Sequence, residues 1–497
     1  MSGLVEVARR EKLQELARRG VASFAYSFDR THATHAALEE FAKHPPKDGA
    51  STSSSYRLAG RLVALRPHGK TTFAHLSDQS GKIQLYFKRD DLGEAPYDVV
   101  GLLDLGDFIG VEGPLFTTKT GEVTVRVNAF TLLAKSLRPL PLGKEDESGV
   151  THGALADAEQ RARQRYADLA VHPEARALFA LRARVVSRIR AFLDARGYLE
   201  VETPVLQPVY GGAAARPFTT HYEALDTTVY LRIADELYLK RCIVGGLERV
   251  YEIGHDFRNE GLSRFHNPEF TMAEWYEAYA DYEAMLGLTE DLLASLVTEL
   301  FGTTTLERHG ATLSFARPFA RRDYYGLIRE TAGVDLAQAG DDELRGALRR
   351  RGIADADALG GAKLVDEVFK TYVEPTLIQP TFVLDYPVAL SPLAKLKRGD
   401  PAKVERWELF IHGREVANAF SELNDPEEQR RRFEQQARLR AAGDQEAQQL
   451  DEDFLRALEY GMPPTGGVGL GVDRLMMILA DQSNIRDVIL FPMLRPE

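Results

Sequence analysis

The spacing of hydrophobic and polar positions changes along the chain and divides it into three parts. Residues up to about Phe41 have helical spacing, and the turn-rich segment HPPKDGASTSSS (44–55) follows. From Tyr56, short apolar runs such as RLAGRLVAL, KIQLYF and VTVRVNAF are separated by turn signals. About five strands within about 75 residues predict a small all-β barrel at 56–140, after a helical extension and linker at 1–55. The proline-rich LRPLPLGKEDESG then marks a domain boundary.

The rest of the chain, 150–497, mixes helices and strands. Pro173 opens a predicted helix whose apolar residues recur at helical spacing, and Gly197 ends it. Strand-like segments dominate from YLEVETPVL through VYLRI and RVYEIG to EFTMAEWY, and TFVLDY and RWELFIHG follow later. Because strands and helices do not alternate regularly, the pattern predicts an α+β domain around an antiparallel sheet. Further helices are predicted at 282–300, 323–332, 341–351, 361–373 and 426–442.

The composition is that of a folded, acidic protein. Of 497 residues, 44% are hydrophobic and 27% are charged, and the formal net charge is −12. This charge argues against a nonspecific DNA binder, whose affinity comes mainly from phosphate neutralisation. Local basic patches can still bind nucleic acid, although a solvated helix face is the favoured interpretation of each patch taken alone. The two patches are Arg9, Arg10, Lys12, Arg18 and Arg19, and Arg176, Arg182, Arg184, Arg188 and Arg190.

Cellular location is predicted from features that the sequence lacks. No apolar run approaches the roughly 20 residues of a membrane span. The first residues, MSGLVEVARREKLQEL, predict an amphipathic helix rather than a signal peptide. Cys242 is the only cysteine, which excludes an intramolecular disulfide, and its apolar surroundings predict a buried core thiol. We therefore expect a cytoplasmic protein with no membrane partner.

A dense group of charged residues lies between the strand-like segments RVYEIG and FTMAEWY. The intervening loop contains Arg258, Glu260, Arg264 and His266. Arginine binds phosphate oxygens in a bidentate manner, so two cations and a histidine on a hairpin loop predict a polyphosphate-binding site. A salt-bridged surface hairpin is the alternative that these residues alone leave open.

The same stretch resembles a known family. FRNEG…HNPEFT (257–271) is similar to motif 2 of the class II aminoacyl-tRNA synthetases, and GLGVDRL (469–475) is similar to motif 3. GYLEVETPVL (197–206) resembles motif 1, the dimer-interface element of the family. The pattern keeps the family's order from about Tyr166 to the C-terminus. The resemblance implies the antiparallel-sheet catalytic domain of that family at 150–497, and a homodimer.

The resemblance also implies residues for ATP binding. Arg258 would hold the α-phosphate and the attacking carboxylate, Phe270 and Arg474 would sandwich the adenine, and His266 would reach the outer phosphates. WELFIHGREVANAFSELND (407–425) resembles the segment in which two carboxylates bind a bridging Mg²⁺. Arg258 and Arg474 are the expected catalytic residues. The implied ATP set is Arg258, Glu260, His266, Asn267, Phe270, Glu408 and Arg474, and the implied metal ligands are Glu408 and Glu415.

The amino acid is inferred from four segments that closely match the lysyl enzymes of the family: YGGAAARPF, LRIADELYLKR, MAEWYEAY and EVANAFSELND. Lysine needs carboxylates for its ε-ammonium and an apolar wall for its stem. A neutral substrate would leave such carboxylates buried and unpaired. The implied lysine site has Gly212 and Glu236 at the α-amino end, Glu274, Tyr276 and Glu422 around the ε-ammonium, and Asn418 and Phe420 along the stem.

The predicted barrel resembles the OB-fold anticodon-binding domain of the lysyl, aspartyl and asparaginyl enzymes. OB-folds bind single strands by stacking bases on aromatic side chains. In TTFAHL, strand alternation places Phe73 on the face opposite Ala74 and Leu76, which predicts an exposed ring, and a core position is the alternative. In KIQLYF, Gln84 is expected to point outward. The resemblance implies that Arg66, Phe73, Gln84 and Glu122 recognise the central anticodon base, a uridine.

These expectations describe an ATP-dependent, AMP-forming enzyme. It would form lysyl-adenylate and pyrophosphate and then transfer lysine to the 3′-end of tRNA(Lys), with Mg²⁺ as cofactor. A related ligase that modifies proteins would lack the barrel. An idle regulator or tRNA-binding protein would be expected to have lost motif arginines or magnesium acids, all of which are present. An aspartyl or asparaginyl enzyme should offer basic or amide groups in place of the pocket acids.

Overall fold

The protein is described here by a computed structural model that covers residues 2–46, 50–145, 151–444 and 446–496. It divides into two compact units, Met1–Ala156 and Asp157–Glu497. Across the described residues, no helix combines the length and the apolar character needed to cross a bilayer.

The first unit begins with two helices, α1 and α2, where the sequence predicted continuous helical spacing. A sheet of strands β1–β7 follows, with helices α3 and α4 inserted between β3 and β4. The helices are α1 (Ser2–Arg18), α2 (Thr34–Lys43), α3 (Arg89–Leu92) and α4 (Glu94–Val100). The strands are β1 (Tyr56–His68), β2 (Thr71–Ser77), β3 (Lys82–Lys88), β4 (Phe108–Gly113), β5 (Leu115–Thr117), β6 (Val123–Val127), β7 (Ala129–Ala134), β8 (Leu142–Glu145) and β9 (Thr151–Ala154).

The sheet of the first unit has more strands than the five or so that the sequence predicted for the small barrel. Seven strands pair in the order β5-β6-β3-β2-β1-β4-β7, and within the described residues this ladder does not close into a ring. Pro114 has no N–H to donate and separates β4 from β5, which pair with different partners. Alternate residues of β1, including Leu58 and Leu62, are buried in a core that also contains Leu16 and Phe41 of the two N-terminal helices.

The second unit contains an eight-stranded sheet with helices packed against it. The strand order is β10-β14-β15-β24-β23-β22-β19-β18, and only the two outermost pairs are parallel. The strands are β10 (Leu199–Glu200), β11 (Leu206–Gln207), β12 (Thr219–Tyr222), β13 (Thr227–Leu231), β14 (Arg249–Phe257), β15 (Glu269–Ala278), β16 (Thr305–Arg308), β17 (Ala311–Ser314), β18 (Ala320–Asp323), β19 (Thr381–Leu384), β20 (Leu396–Lys397), β21 (Asp400–Val404), β22 (Arg406–Ile411), β23 (Arg414–Ser421) and β24 (Thr465–Gly471).

In the described part of this unit, six of the twelve helices match helices predicted from the sequence, and the other six were not predicted. The twelve helices are α5 (Ala158–Arg163), α6 (Arg165–Val171), α7 (Pro173–Asp194), α8 (Glu236–Val244), α9 (Tyr282–Phe301), α10 (Tyr324–Ala332), α11 (Asp341–Arg350), α12 (Ala362–Tyr372), α13 (Pro426–Ala441), α14 (Glu452–Glu459), α15 (Val472–Leu479) and α16 (Ile485–Val488). The α+β prediction is therefore confirmed. The prediction of a strand over YLEVETPVL is wrong, because it contains only the two-residue strands β10 and β11, on either side of Pro204.

Two hydrophobic cores cover opposite faces of the sheet. Phe382 and Leu409 belong to the core formed with α7, α9 and α15. Their strand neighbours Val383 and Phe410 belong to a second core, formed with helices α10–α12. Successive strand residues point to opposite faces, so residues 324–372 support the sheet from the second side.

Candidate active site

A cleft of about 830 Å³ lies over the central strands of the sheet, between the β14–β15 hairpin and the segment from β24 into α15. It brings together residues that are far apart in sequence. Every residue predicted to bind ATP lines it except Glu408, and the metal candidate Glu415 and the stem candidate Asn418 also line it. The predicted residues in its lining are Arg258, Glu260, His266, Asn267, Phe270, Glu415, Asn418 and Arg474.

Arg258 lies at one wall of this cleft, directly after β14. Its guanidinium is 5.0 Å from the centre of the Phe270 ring, and its Nε donates to the carbonyl of Ile233 at 3.3 Å. The sequence placed Arg474, rather than Arg258, opposite Phe270. In this structure Arg474 Nη1 donates to Glu415 Oε2 at 2.9 Å, and Nη2 is 3.3 Å from His266 Nε2.

Asp473 supports this wall and was missed by the sequence reasoning. Its Oδ2 accepts from the backbone N–H of Thr271 at 2.8 Å, and its Oδ1 forms an ion pair with Arg182 at 2.5 Å. Asp473 is buried, so these contacts connect α15 and α7 with β15. The acid adjacent to Arg474 in the motif was the available sequence signal.

The two metal candidates, Glu408 and Glu415, lie on the neighbouring strands β22 and β23. Glu408 accepts from the Tyr386 hydroxyl at 2.8 Å and forms an ion pair with Arg406. Burial raises the pKa of Glu408 to about 7, with Arg406 opposing the rise and Glu415 adding to it. Burial acts in the same direction on Glu415, but Arg474 and Arg406 hold the pKa of that carboxyl below its usual range.

The carboxylates of Glu408 and Glu415 are compatible with one kind of metal site, in which the substrate supplies further ligands. Among the described residues, no group of three or more His, Cys, Asp and Glu side chains could hold a metal ion. Two carboxylates on neighbouring strands, of which Glu415 lines the cleft, nevertheless fit Mg²⁺, which is usually bound by one or two carboxylates together with substrate phosphates.

The predicted amino-acid site is a group of buried acids. Glu236, Glu274 and Glu422 are all at most 6% exposed, and so is Tyr276, whose hydroxyl donates to Glu274 Oε2 at 3.2 Å. Burial raises the pKa of all three carboxyls, and it raises that of Glu422 to about 8. The structure also places Lys240, which the sequence reasoning missed, between Glu236 and Glu422.

Glycines on two segments make room for this group. Gly467 faces Glu422 and Tyr276 so closely that a Cβ there would lie 2.2 Å from Glu422 Oε1 and 2.3 Å from Tyr276 Cε1. Gly212 has φ +90, where other residues are strained, and a Cβ there would lie 3.2 Å from the Cβ of Glu236.

The stem candidates lie on β23. Phe420 is half-buried, and the Arg406 guanidinium is 5.4 Å from its ring centre. Asn418 is opposite Glu408 in the strand register and also lines the cleft. Arg406, which sequence reasoning missed, therefore contacts both the metal candidate Glu408 and the stem candidate Phe420.

Three of the four anticodon candidates form one polar cluster in the first unit. Glu122 accepts from Gln84 Nε2 at 2.5 Å and is 2.9 Å from His75 Nε2, while Arg66 Nη2 is 3.4 Å from His75 Nδ1. The expectation of an outward Gln84 is wrong, because its side chain is buried beneath Glu122 and also accepts from Thr124.

Phe73 is half-buried rather than exposed, because its ring packs against Tyr86 with centroids 4.9 Å apart. Tyr86 in turn contacts Phe116, with centroids 6.1 Å apart. The result is an aromatic row on the first unit beside the polar cluster, which is the combination that single-strand binding uses.

The basic patches are largely neutralised within the protein. Arg9 is buried and donates to the carbonyls of Leu105 and Ser136, and Lys12 pairs with Asp104 at 2.8 Å. In the second patch, Arg176 donates to the Leu169 carbonyl. Its other paired members are Arg182 with Asp473, Arg188 with Glu299 and Arg190 with Glu200.

Cys242 is half-buried rather than fully buried. Burial raises the pKa of its thiol, with a further rise from Glu252, so the reactive thiolate is disfavoured.

Comparison with known proteins agrees with both units. A family model described as tRNA synthetases class II (D, K and N) matches residues 157–495, and one described as an OB-fold nucleic acid binding domain matches 56–133. The chain belongs to the class II tRNA synthetases. A lysine–tRNA ligase of Carboxydothermus hydrogenoformans is 50% identical over 497 residues, covering 100% of this chain and 99% of that protein. A lysine–tRNA ligase of Moorella thermoacetica is 52% identical over 491 residues, covering 98% of this chain and 97% of that protein.

Proposed function

We propose that this chain is a lysine–tRNA ligase, which activates lysine with ATP and transfers it to tRNA(Lys). The observation that carries the proposal is the group of three buried carboxylates, Glu236, Glu274 and Glu422, next to the cleft lined by Arg258 and Arg474. An amino acid with a neutral or acidic side chain would leave the carboxylates beyond its α-amino end without a cationic partner from the substrate. The lysine–tRNA ligases that are about half identical to this chain over its length support the same activity.

In the first step, the carboxylate of lysine attacks the α-phosphorus of ATP, giving lysyl-adenylate and releasing pyrophosphate. This reaction needs little proton transfer, so positioning and charge neutralisation supply most of the acceleration. Arg258 and Arg474 are the cations of the cleft that would neutralise phosphate charge, and Phe270 offers a ring for the adenine. In the second step, the 3′-terminal hydroxyl of tRNA attacks the adenylate carbonyl and AMP leaves.

Glu408 and Glu415 are the proposed Mg²⁺ ligands. The bound ion would supply positive charge against the phosphates. Side chains of the protein keep both carboxylates in place: Tyr386 and Arg406 contact Glu408, and Arg474 contacts Glu415.

The OB-fold unit is proposed to bind the anticodon of tRNA(Lys) through Arg66, Phe73, Gln84 and Glu122. The polar cluster around Glu122 and the neighbouring row of aromatic rings support this role.

We further propose a cytoplasmic homodimer. Exposed apolar side chains in the segment that resembles motif 1, at Leu199, Val205 and Leu206, support pairing of two copies through this segment.

The experiment that tests the proposal is ATP–pyrophosphate exchange without tRNA, measured with each standard amino acid in turn. Exchange with lysine alone is the expected result. Exchange with aspartate or asparagine would keep the class of enzyme and contradict the assignment of the pocket. Folded protein that exchanges with no amino acid, with Mg²⁺ present, would contradict the proposed activity.

Glu274→Gln then tests the pocket itself. The substitution keeps the shape and removes the charge that would face the ε-ammonium, so the KM for lysine should rise by about tenfold or more, as expected for the loss of one buried charge partner. The KM for ATP serves as the internal control, and an unchanged KM for lysine would remove Glu274 from the site.

A further inference from the structure

Lys240, on α8, is a buried cation that the proposed chemistry does not use. Its side chain is 0% exposed, and its Nζ lies 2.5 Å from Glu236 Oε1 and 2.5 Å from Glu422 Oε2. A buried ammonium is costly without partners, so Lys240 depends on the correct placement of both carboxyl groups. One internal cation thus connects two acids of the proposed lysine site.

The contact leaves part of the site open for a second cation. Among the described residues, both oxygens of Glu422 are buried without a hydrogen bond. Oε2 forms the ion pair with Lys240, whereas Oε1 has no ion-pair partner. This unpartnered oxygen faces Gly467 and the Tyr276 ring, on the side where Glu274 lies. A buried carboxylate oxygen without a donor is a position for a charged donor from a ligand.

We propose that Lys240 is a positioning residue for lysine binding, which holds the carboxyl groups of Glu236 and Glu422 in place and leaves Glu422 Oε1 for the substrate ammonium. The inference rests on the proposed function and adds a residue that determines affinity for the amino acid. Lys240 acts through the two carboxylates and does not contact the ATP cleft.

The electrostatics of the group agree with this role. Burial alone would lower the pKa of Lys240, but Glu236 and Glu422 raise it above its usual range, so the ammonium stays charged. Burial raises the pKa of Glu422 to about 8, and Lys240 is the cation that opposes this rise. Arg406 is the other cation acting on Glu236. Without Lys240, the pKa values of Glu236 and Glu422 would rise further, and both carboxyl groups would attract an ammonium less strongly.

The first variant is Lys240→Met, which keeps the length of the side chain and removes its charge. After exchange with lysine has been established for the unaltered protein, this variant should raise the KM for lysine by about tenfold or more, because one partner of a buried charge group is lost. The kcat and the KM for ATP should change much less. A purely structural defect would instead reduce the amount of active enzyme and lower kcat.

A matched control is Lys363→Met. Lys363 also connects two carboxylates, Asp444 at 3.0 Å and Glu446 at 3.5 Å, but its side chain is 54% exposed and lies outside the proposed site. Its removal should leave the KM for lysine unchanged. A similar rise in both variants would overturn the assignment to Lys240.

A double-mutant cycle tests whether Lys240 acts through Glu422. In a Glu422→Gln background, Lys240→Met should add little to the KM for lysine, because the group through which it acts has already been changed. A full further rise in KM would overturn the proposal, as would a folded Lys240→Met variant with an unaltered KM.

The double-mutant cycle also tests the proposal if Lys240→Met alone fails to fold. The double variant removes the ion pair between Lys240 and Glu422 and leaves Arg406 as the cation that acts on Glu236, and it is compared with Glu422→Gln alone. If Glu422→Gln folds and the double variant does not, Lys240 is needed for packing and the proposal fails. If the unaltered protein shows no exchange with lysine, the proposed function itself is rejected. If the unaltered protein is active and the variants have the same KM for lysine, only the role of Lys240 is rejected.

Discussion

Individual carboxyl groups in this protein differ widely in acidity because their neighbours differ. Glu408 and Glu415 lie on adjacent strands, yet the pKa of Glu408 is raised to about 7 by burial, while Arg474 and Arg406 overcome burial at Glu415 and lower its pKa. Near neutral pH one carboxyl of the pair is therefore partly protonated and the other is ionised. Metal binding requires both to lose their protons.

This difference predicts how the requirement for Mg²⁺ depends on pH. A proton on Glu408 competes with the metal, so the free Mg²⁺ concentration for half-maximal exchange should fall as pH rises from about 6 to about 8. The measurement is exchange activity against free Mg²⁺, with the binding of Mg²⁺ to ATP accounted for at each pH. A half-maximal concentration that stays constant over this range would show that Glu408 is not a ligand.

Strand β24 shows how one element controls the space of the site. It lies between β15 and β23 in the sheet. Its Gly467 faces Glu422, the residue after β23, and a Cβ at Gly469 would lie 3.7 Å from Glu274 Oε1 of β15. A side chain cannot be added at Gly467 without displacing Glu422 or Tyr276. Strand β24 therefore leaves room for the pocket because its glycine has no side chain there.

Gly467→Ala tests this role of β24. The new methyl group would lie far inside contact distance of Glu422 Oε1 and Tyr276 Cε1, so the carboxylate must move and the KM for lysine should rise by about tenfold or more. Gly287→Ala, in α9, is the matched control, because its Cβ would meet nothing within 4 Å. Equal KM values for the two variants would contradict the proposed placement of Glu422.

At the scale of the whole molecule, each unit has its own core, and the catalytic unit contains the acids with raised pKa values. These include Glu274, raised well above its usual range, and Asp235, raised to about 11, in both cases chiefly by burial. Such carboxyls keep protons in the folded state at a pH where the unfolded chain has released them. The folded state then binds more protons, so its stability falls as pH rises.

The catalytic unit without ligand should therefore become less stable between about pH 7 and pH 9, with each retained proton costing about 1.4 kcal/mol per pH unit. The histidines with lowered pKa values, such as His309, are neutral in both states over this range and do not alter the sign. Thermal unfolding at a series of pH values measures the effect. A midpoint that rises with pH would mean that these carboxyls are ionised in the folded protein.

The sequence by itself determined the local structure and the motifs. Apolar spacing predicted helices such as α7 and α9 to within a few residues, because one buried face imposes its period on the chain. Motif residues such as Arg258 and Arg474 could be named because their types and order are visible in the sequence. The length of the sheet ladder in the first unit, and the breaks at Pro114 and Pro204, were not predicted.

Only the tertiary structure decided which charges meet. Lys240 and Arg406 have no local signature of function, and their partners Glu422 and Tyr386 are distant along the chain or on other strands. Asp473 lies within a motif, but the sequence does not show that it pairs with Thr271. The same holds for Gln84 and Phe73, whose exposure depends on Glu122 and Tyr86 from neighbouring strands and turns. The physical reason is that burial and long-range pairing set both pKa and accessibility, and neither is a property of sequence spacing.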